Sequence, residues 1–280
     1  MRYDIASKRL LEIGKESILR WFIGIDVESA ELIEELPKET VSVRRSDFPL
    51  LVRERSGRER IVLIEFQTRW DPDLPLRLLE YVVRFRLRYR VHVLPIVFLF
   101  KEHRGASDFY QDDVVSIRFK LIRLWEIEGR RILESGDIRL YPFVPLTRCG
   151  REEVLRAERG IFESGLERGE KSDLLTVLAI FSGLKSEDLM RELFMRRRDI
   201  MIESPAYDLI KREGFEEGML EEAKEMVLEA LEERFGPVPL RIVERVRGIN
   251  ERVVLKGLHR RAIRCGSLEE FERALDEVLR

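Results

Sequence analysis

Two polar side chains near the end of an apolar segment are candidates for chemistry. The segment "IVLIEFQT", residues 61–68, has the composition of a buried strand until it reaches Glu65 and Gln67. Residues two apart on a strand share one face, so Glu65 and Gln67 lie together, with Ile61 and Leu63 behind them. A carboxylate in such a position needs a compensating partner, and a metal ion is one candidate.

Asp47, in "RRSDFPLLV", is the nearest acidic residue on the preceding segment. The intervening "RSGR" predicts a β-hairpin with its turn near Ser56 and Gly57. Opposed residues of an antiparallel pair share a face. Asp47 therefore joins Glu65 only if the hairpin is centred on a residue such as Ser56 or Gly57, and not between the two.

If this register holds, two carboxylates and a backbone carbonyl offer the hard oxygen ligands that Mg²⁺ prefers. Such an ion polarises a phosphodiester and lowers the pKa of a bound water, which is hydrolytic chemistry. Gln67 would orient the attacking water or a phosphate oxygen. The chain has 53 acidic residues, so this spacing also arises by chance. The alternative is that Asp47 and Glu65 form salt bridges with arginines on a solvated face, with Arg44, Arg45 or Arg60 as partners.

The elements around these residues predict an α/β fold followed by helices. Residues 4–23 have the apolar spacing of a helix that ends before Gly24, and no convincing strand is predicted after residue 150. We expect domains at 1–150, 151–213 and 214–280. The remaining predicted elements are a helical segment "SAELIEELPKE", the hairpin, a helix "DLPLRLLEYVVRFRLRYR", a buried strand "VHVLPIVFLF", strand character in "SIRFKLIRLWEI", an irregular "GDIRLYPFVPLT", a helix stopped by Gly236 and Pro237, and a final helix with a capping-box pattern at Ser267 and Glu270.

The segments "RRSDFPLLV", "IVLIEFQTRWDPDLPLRLLEYVVRFR", "IRLWEI" and "MIESPAYDLIKREGFEEG" resemble the recombination-promoting nuclease / putative transposase family of the PD-(D/E)xK nuclease superfamily. The likeness extends over nearly the whole chain. It implies a restriction-endonuclease-like αβββαβ core followed by an all-helical C-terminal region. It also implies a DNA endonuclease that depends on Mg²⁺, or on Mn²⁺, and is linked to recombination or transposition.

The same resemblance assigns roles to three residues. Asp47 and Glu65 would be metal ligands, and Gln67 takes the position that is usually lysine in the wider superfamily. Two positions depart from the family. Leu63 stands where many relatives have histidine, and Pro49 removes a ladder hydrogen bond two residues after Asp47, which favours an edge or a bulge.

Five further residues are supporting candidates. Arg77 and Tyr81 lie four apart on one helix face and resemble the Q-x-x-x-Y element of related nucleases, so they would clamp a phosphate; Tyr81 fits a core role equally well. Asp4 resembles the start of the family's first helix and is either an outer acidic member of the site or a helix cap. Arg84 and Arg88 extend the Arg77 face and would follow a DNA backbone, or simply face solvent.

Composition limits the remaining classes of function. Residues 41–104 carry 14 basic and 8 acidic side chains, a net charge of +6, in a chain whose net charge is −2. No apolar run is long enough to span a membrane, so we expect a cytoplasmic protein with DNA as its partner and no membrane association. Cys149 and Cys265 lack the spacing of a metal finger or a disulfide framework. Nothing resembles a base-reading module, so sequence specificity should be low.

The rival hypothesis is an inactive DNA-binding or regulatory protein that keeps the nuclease fold and forms homo-oligomers through its helical C-terminal region.

Overall fold

The computed structural model of the chain describes residues 2–33 and 47–278. It confirms the mixed α/β class. Its first elements are one helix, three strands, one helix and one strand. In chain order they are α1 (Arg2–Ile18), β1 (Val27–Leu32), β2 (Asp47–Glu54), β3 (Glu59–Gln67), α2 (Leu74–Tyr89), β4 (His92–Leu99), β5 (Phe109–Gln111), β6 (Ser116–Arg118) and β7 (Lys120–Arg123). A single π-helical turn, Leu19–Ile23, extends α1 to Gly24, whose φ of 78° ends the helix as predicted.

Five strands form one mixed sheet in the order β1-β2-β3-β4-β7. β1 with β2, and β2 with β3, are antiparallel. β3 with β4, and β4 with β7, are parallel. β5 and β6 form a separate two-stranded ribbon. The carboxyl ends of β3 and β4 therefore meet at one edge of the sheet, which is where Glu65 and Gln67 lie.

Both faces of β3 are covered, as the apolar pattern of "IVLIEF" requires. Ile61 and Leu63 are fully buried in a cluster with the apolar stripe of α2. On the other face, the ring of Phe66 packs against Phe98, with ring centroids 5.2 Å apart, and against Phe143 at 6.5 Å. Glu65 and Gln67 thus share the α2 side of the sheet with Ile61 and Leu63.

The prediction of a helix over "SAELIEELPKE" is wrong where the structure describes it. Ser29 to Leu32 belong to β1, and residues 34–39 lie outside the described residues. Ala30 pairs with Val52 and Leu32 with Leu50. The ladder to β2 and the burial of Ala30 outweigh the helix propensity of a segment rich in Glu, Ala and Leu.

The rest of the described chain is helical, and past residue 150 it contains no strand, as predicted. Ile138–Leu146, in the segment predicted to be irregular, forms 3₁₀ turns. The α-helices are α3 (Gly129–Glu134), α4 (Arg151–Glu163), α5 (Arg168–Ser182), α6 (Glu187–Met201), α7 (Pro205–Phe235), α8 (Leu240–Arg247), α9 (Arg252–Arg264) and α10 (Leu268–Val278). α7 ends at Gly236, whose φ is 79°. The backbone N–H of Glu270 donates to Ser267 Oγ over 3.3 Å at the start of α10, as the capping pattern predicted.

Two compact units make up the chain, residues 1–209 and residues 210–280. The second unit has its own apolar core, which includes Val227, Leu231, Leu258 and Phe271. The division into three domains at residues 150 and 213 stays a prediction. Among the described helices, none is both long and apolar enough to cross a membrane.

A buried carboxylate on α4 joins the helices of the first unit. Glu158 is fully buried and forms ion pairs with Arg197 and, over 3.4 Å, with Arg196 on α6. The guanidinium of Arg197 also lies 3.7 Å from the ring centroid of Phe162. A buried carboxylate is tolerated only when its charge is compensated in this way.

Candidate functional site

The register of the β2–β3 hairpin meets the condition set by the sequence. Asp47 is the direct Cα partner of Glu65, and the same pairing continues to Arg53 and Glu59. The hairpin is therefore centred on Ser56. Gly57 has a φ of 82°, and its N–H donates to the carbonyl of Glu54 over 2.9 Å, which closes the turn. The side chain of Asp47 lies outside the described part of the structure.

Glu65 is a buried carboxylate, with only 1% of the residue exposed. The side-chain amide of Gln67 donates to Glu65 Oε1, as expected for residues two apart on one face. The Nη2 atom of Arg77, on α2, lies 3.7 Å from the same oxygen. These contacts offset part of the free energy that desolvation of the carboxylate costs.

Arg77 bridges two carboxylates. Besides Glu65 it contacts Asp71, whose Oδ2 accepts from Nη1, while Asp71 Oδ1 accepts from the backbone N–H of Asp73 over 3.0 Å. The sequence analysis did not single out Asp71. Its six-residue separation from Arg77 spans the start of α2 and belongs to no standard helical pairing, although an acid just before a helix with an arginine in its first turn was a visible signal.

Three other predicted residues on α2 have contacts of a different kind. Tyr81 is partly buried and packs against the core cluster beneath α2. Arg84 forms an ion pair with Glu80, one turn earlier, over 2.6 Å. The guanidinium of Arg88 lies 5.3 Å from the ring centroid of Tyr89. The roles of Tyr81 in phosphate binding and of Arg84 and Arg88 in DNA binding stay predictions.

Asp4 lies in the first turn of α1 and is exposed. Both of its predicted roles, as an outer acidic member of the site and as a helix cap, stay predictions. Of the arginines offered as alternative partners of Glu65, Arg60 forms its ion pair with Glu54. Arg44 and Arg45 lie outside the described residues. The carbonyl of Pro49 accepts from the N–H of Ile33 over 2.9 Å, one residue beyond the last β1–β2 Cα pair, Leu32–Leu50. The proline therefore removes only the reciprocal donor of this pair, at the end of the β1 ladder.

The donor set fits a hard divalent cation better than a soft one. Glu65 supplies buried carboxylate oxygens, and Asp47 is its direct partner in the register. Oxygen ligands of this type suit Mg²⁺ or Mn²⁺. Among the side chains that the structure describes, which do not include that of Asp47, no group of three or more His, Cys, Asp or Glu converges on one point. An ion held here would thus depend on two carboxylates, with water and phosphate oxygens as its other ligands.

Comparisons with protein-family models, with curated proteins and with solved structures found no match to this chain.

Proposed function

We propose that the chain is a metal-dependent DNA endonuclease whose site is formed by Asp47, Glu65 and Gln67, with Arg77 as a supporting cation. The observation that carries the proposal is the register: an acidic residue of β2 lies directly opposite a buried acidic residue at the end of β3. Two acidic residues opposed in the register at a strand end have little value for packing. Such a strand end is a suitable place to hold a divalent ion.

Each residue of the proposed site would have a distinct role. Asp47 and Glu65 would hold Mg²⁺ or Mn²⁺, which when bound supplies Lewis acidity at the phosphate and a more acidic water. Gln67 is uncharged, so it cannot accept a proton; its amide orients Glu65 and would hydrogen-bond a water or a phosphate oxygen. Arg77, 25% exposed in its side chain, can contact a phosphate while it remains beside Glu65.

DNA as the substrate is supported by two features of the sequence. The resemblance to the recombination-promoting nuclease / putative transposase family implies it, together with a restriction-endonuclease-like core. The charge of residues 41–104, +6, suits a polyanion. A link to recombination or transposition, and homo-oligomers formed through the helical C-terminal region, belong to the same proposal.

Nicking of supercoiled plasmid is the direct test. We expect cleavage with Mg²⁺ or Mn²⁺, none with EDTA, and a loss of at least about a hundredfold in Asp47→Asn and in Glu65→Gln, on the scale of the loss of a charged catalytic group. Glu59→Gln is the matched control, because Glu59 lies on the same strand but is exposed and paired with Arg53. Cleavage that survives in both site variants would assign the activity to a contaminant.

One contact favours a second candidate, a DNA-binding protein without cleavage. Arg77 already places a positive charge 3.7 Å from Glu65 Oε1, where a metal ion would otherwise compensate the carboxylate. Isothermal titration with Mn²⁺ separates the two. Heat of binding that is lost in Glu65→Gln supports the endonuclease, whereas DNA binding with no Mn²⁺ binding supports the second candidate.

A further inference from the structure

An arginine-rich depression lies where α2 ends and β4 begins, at the opposite end of α2 from Arg77. It has a volume of about 330 Å³ and is lined by Arg86, Arg90, Val91 and His92. Arg90 takes a left-handed backbone conformation, with a φ of 58°, as the residue that caps α2. The sequence analysis assigned no role to any of these four residues.

The parallel pairing of β3 with β4 brings two more arginines to this place. Arg60 is the direct Cα partner of His92, and Arg58 lies two residues earlier, in the turn before β3. Burial lowers the pKa of His92 below 6.5, and the positive charges of Arg86, Arg60 and Arg58 lower it further. Arg86 thus lies beside His92 in the depression, Arg60 lies beside it in the sheet, and Arg58 is close enough for its charge to act on the imidazole.

Little negative charge offsets these arginines. Arg60 is paired with Glu54, but no ion pair between side chains that the structure describes involves Arg58, Arg86 or Arg90. Four arginines and one glutamate leave a charge of +3 beside a mostly neutral imidazole. The neighbouring arginines of the hairpin are paired, Arg53 with Glu59 and Arg55 with Asp26.

One donor in the cluster also lacks an acceptor. The Nε–H of Arg60 is buried and has no hydrogen-bond partner among the described residues. Oε1 of Glu54, in the ion pair with Arg60, is buried without a hydrogen-bond partner as well, so this pair leaves both groups incompletely satisfied. A buried donor without a partner is costly, and a bound anion would add an acceptor and negative charge.

We propose that Arg58, Arg60, Arg86, Arg90 and His92 form a phosphate-binding site, separate from the carboxylates at the other end of β3. Guanidinium groups match the oxygens of a phosphate with paired, charge-assisted hydrogen bonds, and a neutral imidazole can add one N–H donor. The phosphate could belong to a nucleic-acid backbone or be free in solution, since the recognition chemistry is the same. The site does not rest on the proposed nuclease activity, because it needs neither a metal nor cleavage.

Histidine NMR of the full-length chain, in EDTA, tests the site. The chain has three histidines, so His92→Gln assigns the signal of interest. Inorganic phosphate, tripolyphosphate and a short single-stranded oligodeoxynucleotide are titrated separately, with sodium chloride at matched ionic strength as the reference. We expect the bound phosphate to shift the His92 resonances and to raise the pKa of His92, because a nearby negative charge favours the imidazolium form.

Substitution of the arginines then locates the effect. The double variant Arg86→Gln/Arg90→Gln should weaken binding at least about tenfold. The negative slope of log K against log salt for the oligonucleotide should become shallower by about 1.4, because each phosphate contact on a single strand contributes about 0.7. Arg159→Gln, an exposed arginine on α4, is the control and should change neither. Circular dichroism checks that the double variant is folded.

The probes distinguish the source of the phosphate. Shifts with all three probes support a general phosphate site, and shifts with the oligonucleotide alone support a site for the nucleic-acid backbone. The proposal is overturned if His92 responds to no probe beyond sodium chloride, or if the double variant binds as tightly as the wild type. Because EDTA is present throughout, neither result depends on whether the carboxylates bind metal.

Discussion

Replacement of Arg77 by methionine should show whether a divalent cation binds beside Glu65. The guanidinium lies 3.7 Å from a carboxylate oxygen of Glu65, a residue only 1% exposed. At this distance and an effective dielectric constant of about 20, two unit charges attract by about 4 kcal/mol. Methionine keeps much of the side-chain volume but removes the charge, so the buried carboxylate loses a cationic partner.

The expected loss of stability without metal is about 3 kcal/mol, the lower end of the range for a broken buried pair, because Gln67 still donates to Glu65. For a unit of 209 residues this corresponds to a fall in Tm of about 6–12 °C. Arg84→Met is the matched control. It breaks the helical ion pair with Glu80, whose side chain is 47% exposed, and should cost at most about 0.5 kcal/mol.

The informative measurement is the response to Mg²⁺ in differential scanning calorimetry. A cation that binds at Glu65 is repelled by Arg77, so its affinity should rise when Arg77 is replaced, and ligand binding to the folded state raises Tm. We therefore expect Mg²⁺ to raise the Tm of Arg77→Met more than that of the wild type or of Arg84→Met. Equal shifts in all three proteins would refute the assignment of the metal to Glu65, and no shift in any of them would refute the metal site itself.

Three further predictions concern stability. Arg197→Met should cost about 3–5 kcal/mol and more than Glu158→Gln, because it leaves a carboxylate buried without its closest cation; urea unfolding measures both. The lowered pKa of His92 means that the unfolded state binds more protons just below pH 6.5, so the free energy of unfolding should fall as pH drops through that value, and His92→Gln should remove this component. Gly160→Ala would place Cβ 2.6 Å from Cε2 of Tyr141, and should destabilise by about 1–3 kcal/mol in thermal unfolding.

Each of these predictions has a matched comparison. Arg191→Met breaks an exposed pair with Glu187 on the same helix as Arg197 and should change stability little. Arg86→Gln removes the arginine that contributes most to the lowered pKa of His92. The fall in the free energy of unfolding below pH 6.5 should become smaller but should not vanish, because the burial of His92 remains. Gly169→Ala, on α5, meets nothing within 4 Å and should not destabilise. Large losses in Arg191→Met or Gly169→Ala, or an unchanged pH dependence in His92→Gln, would contradict the reasoning.

The features that the sequence predicted well are those that nearby residues determine. The hairpin turn near Ser56 and Gly57 follows from a glycine that the turn requires at a positive φ, whereas its register was only a condition until the pairing was seen. The ends of α1 and α7 follow from Gly24 and Gly236. The proximity of Glu65 and Gln67 follows from strand periodicity alone. In these cases the deciding interaction spans only a few residues, so its signal is visible in a short segment.

The features that the sequence did not predict depend on pairing between distant segments. β1 has the composition of a helix but forms a strand because its backbone pairs with that of β2. Arg77 reaches Glu65 only because α2 packs against the end of β3. The position of Arg60 beside His92 requires the parallel β3–β4 register, which no local pattern specifies.

The same distinction separates the two proposed sites. The opposition of Asp47 and Glu65 depends on one turn, so an insertion of a single residue between Glu54 and Glu59 would move the partner of Glu65 to the other face of β2. In the proposed phosphate site Arg58 lies in that turn, but Arg86, Arg90 and His92 come from α2 and β4, and the arrangement of these three does not depend on the length of the turn. A turn insertion that folds should therefore abolish metal binding at Glu65 while phosphate still shifts the resonances of His92, which makes the two sites separable in one protein.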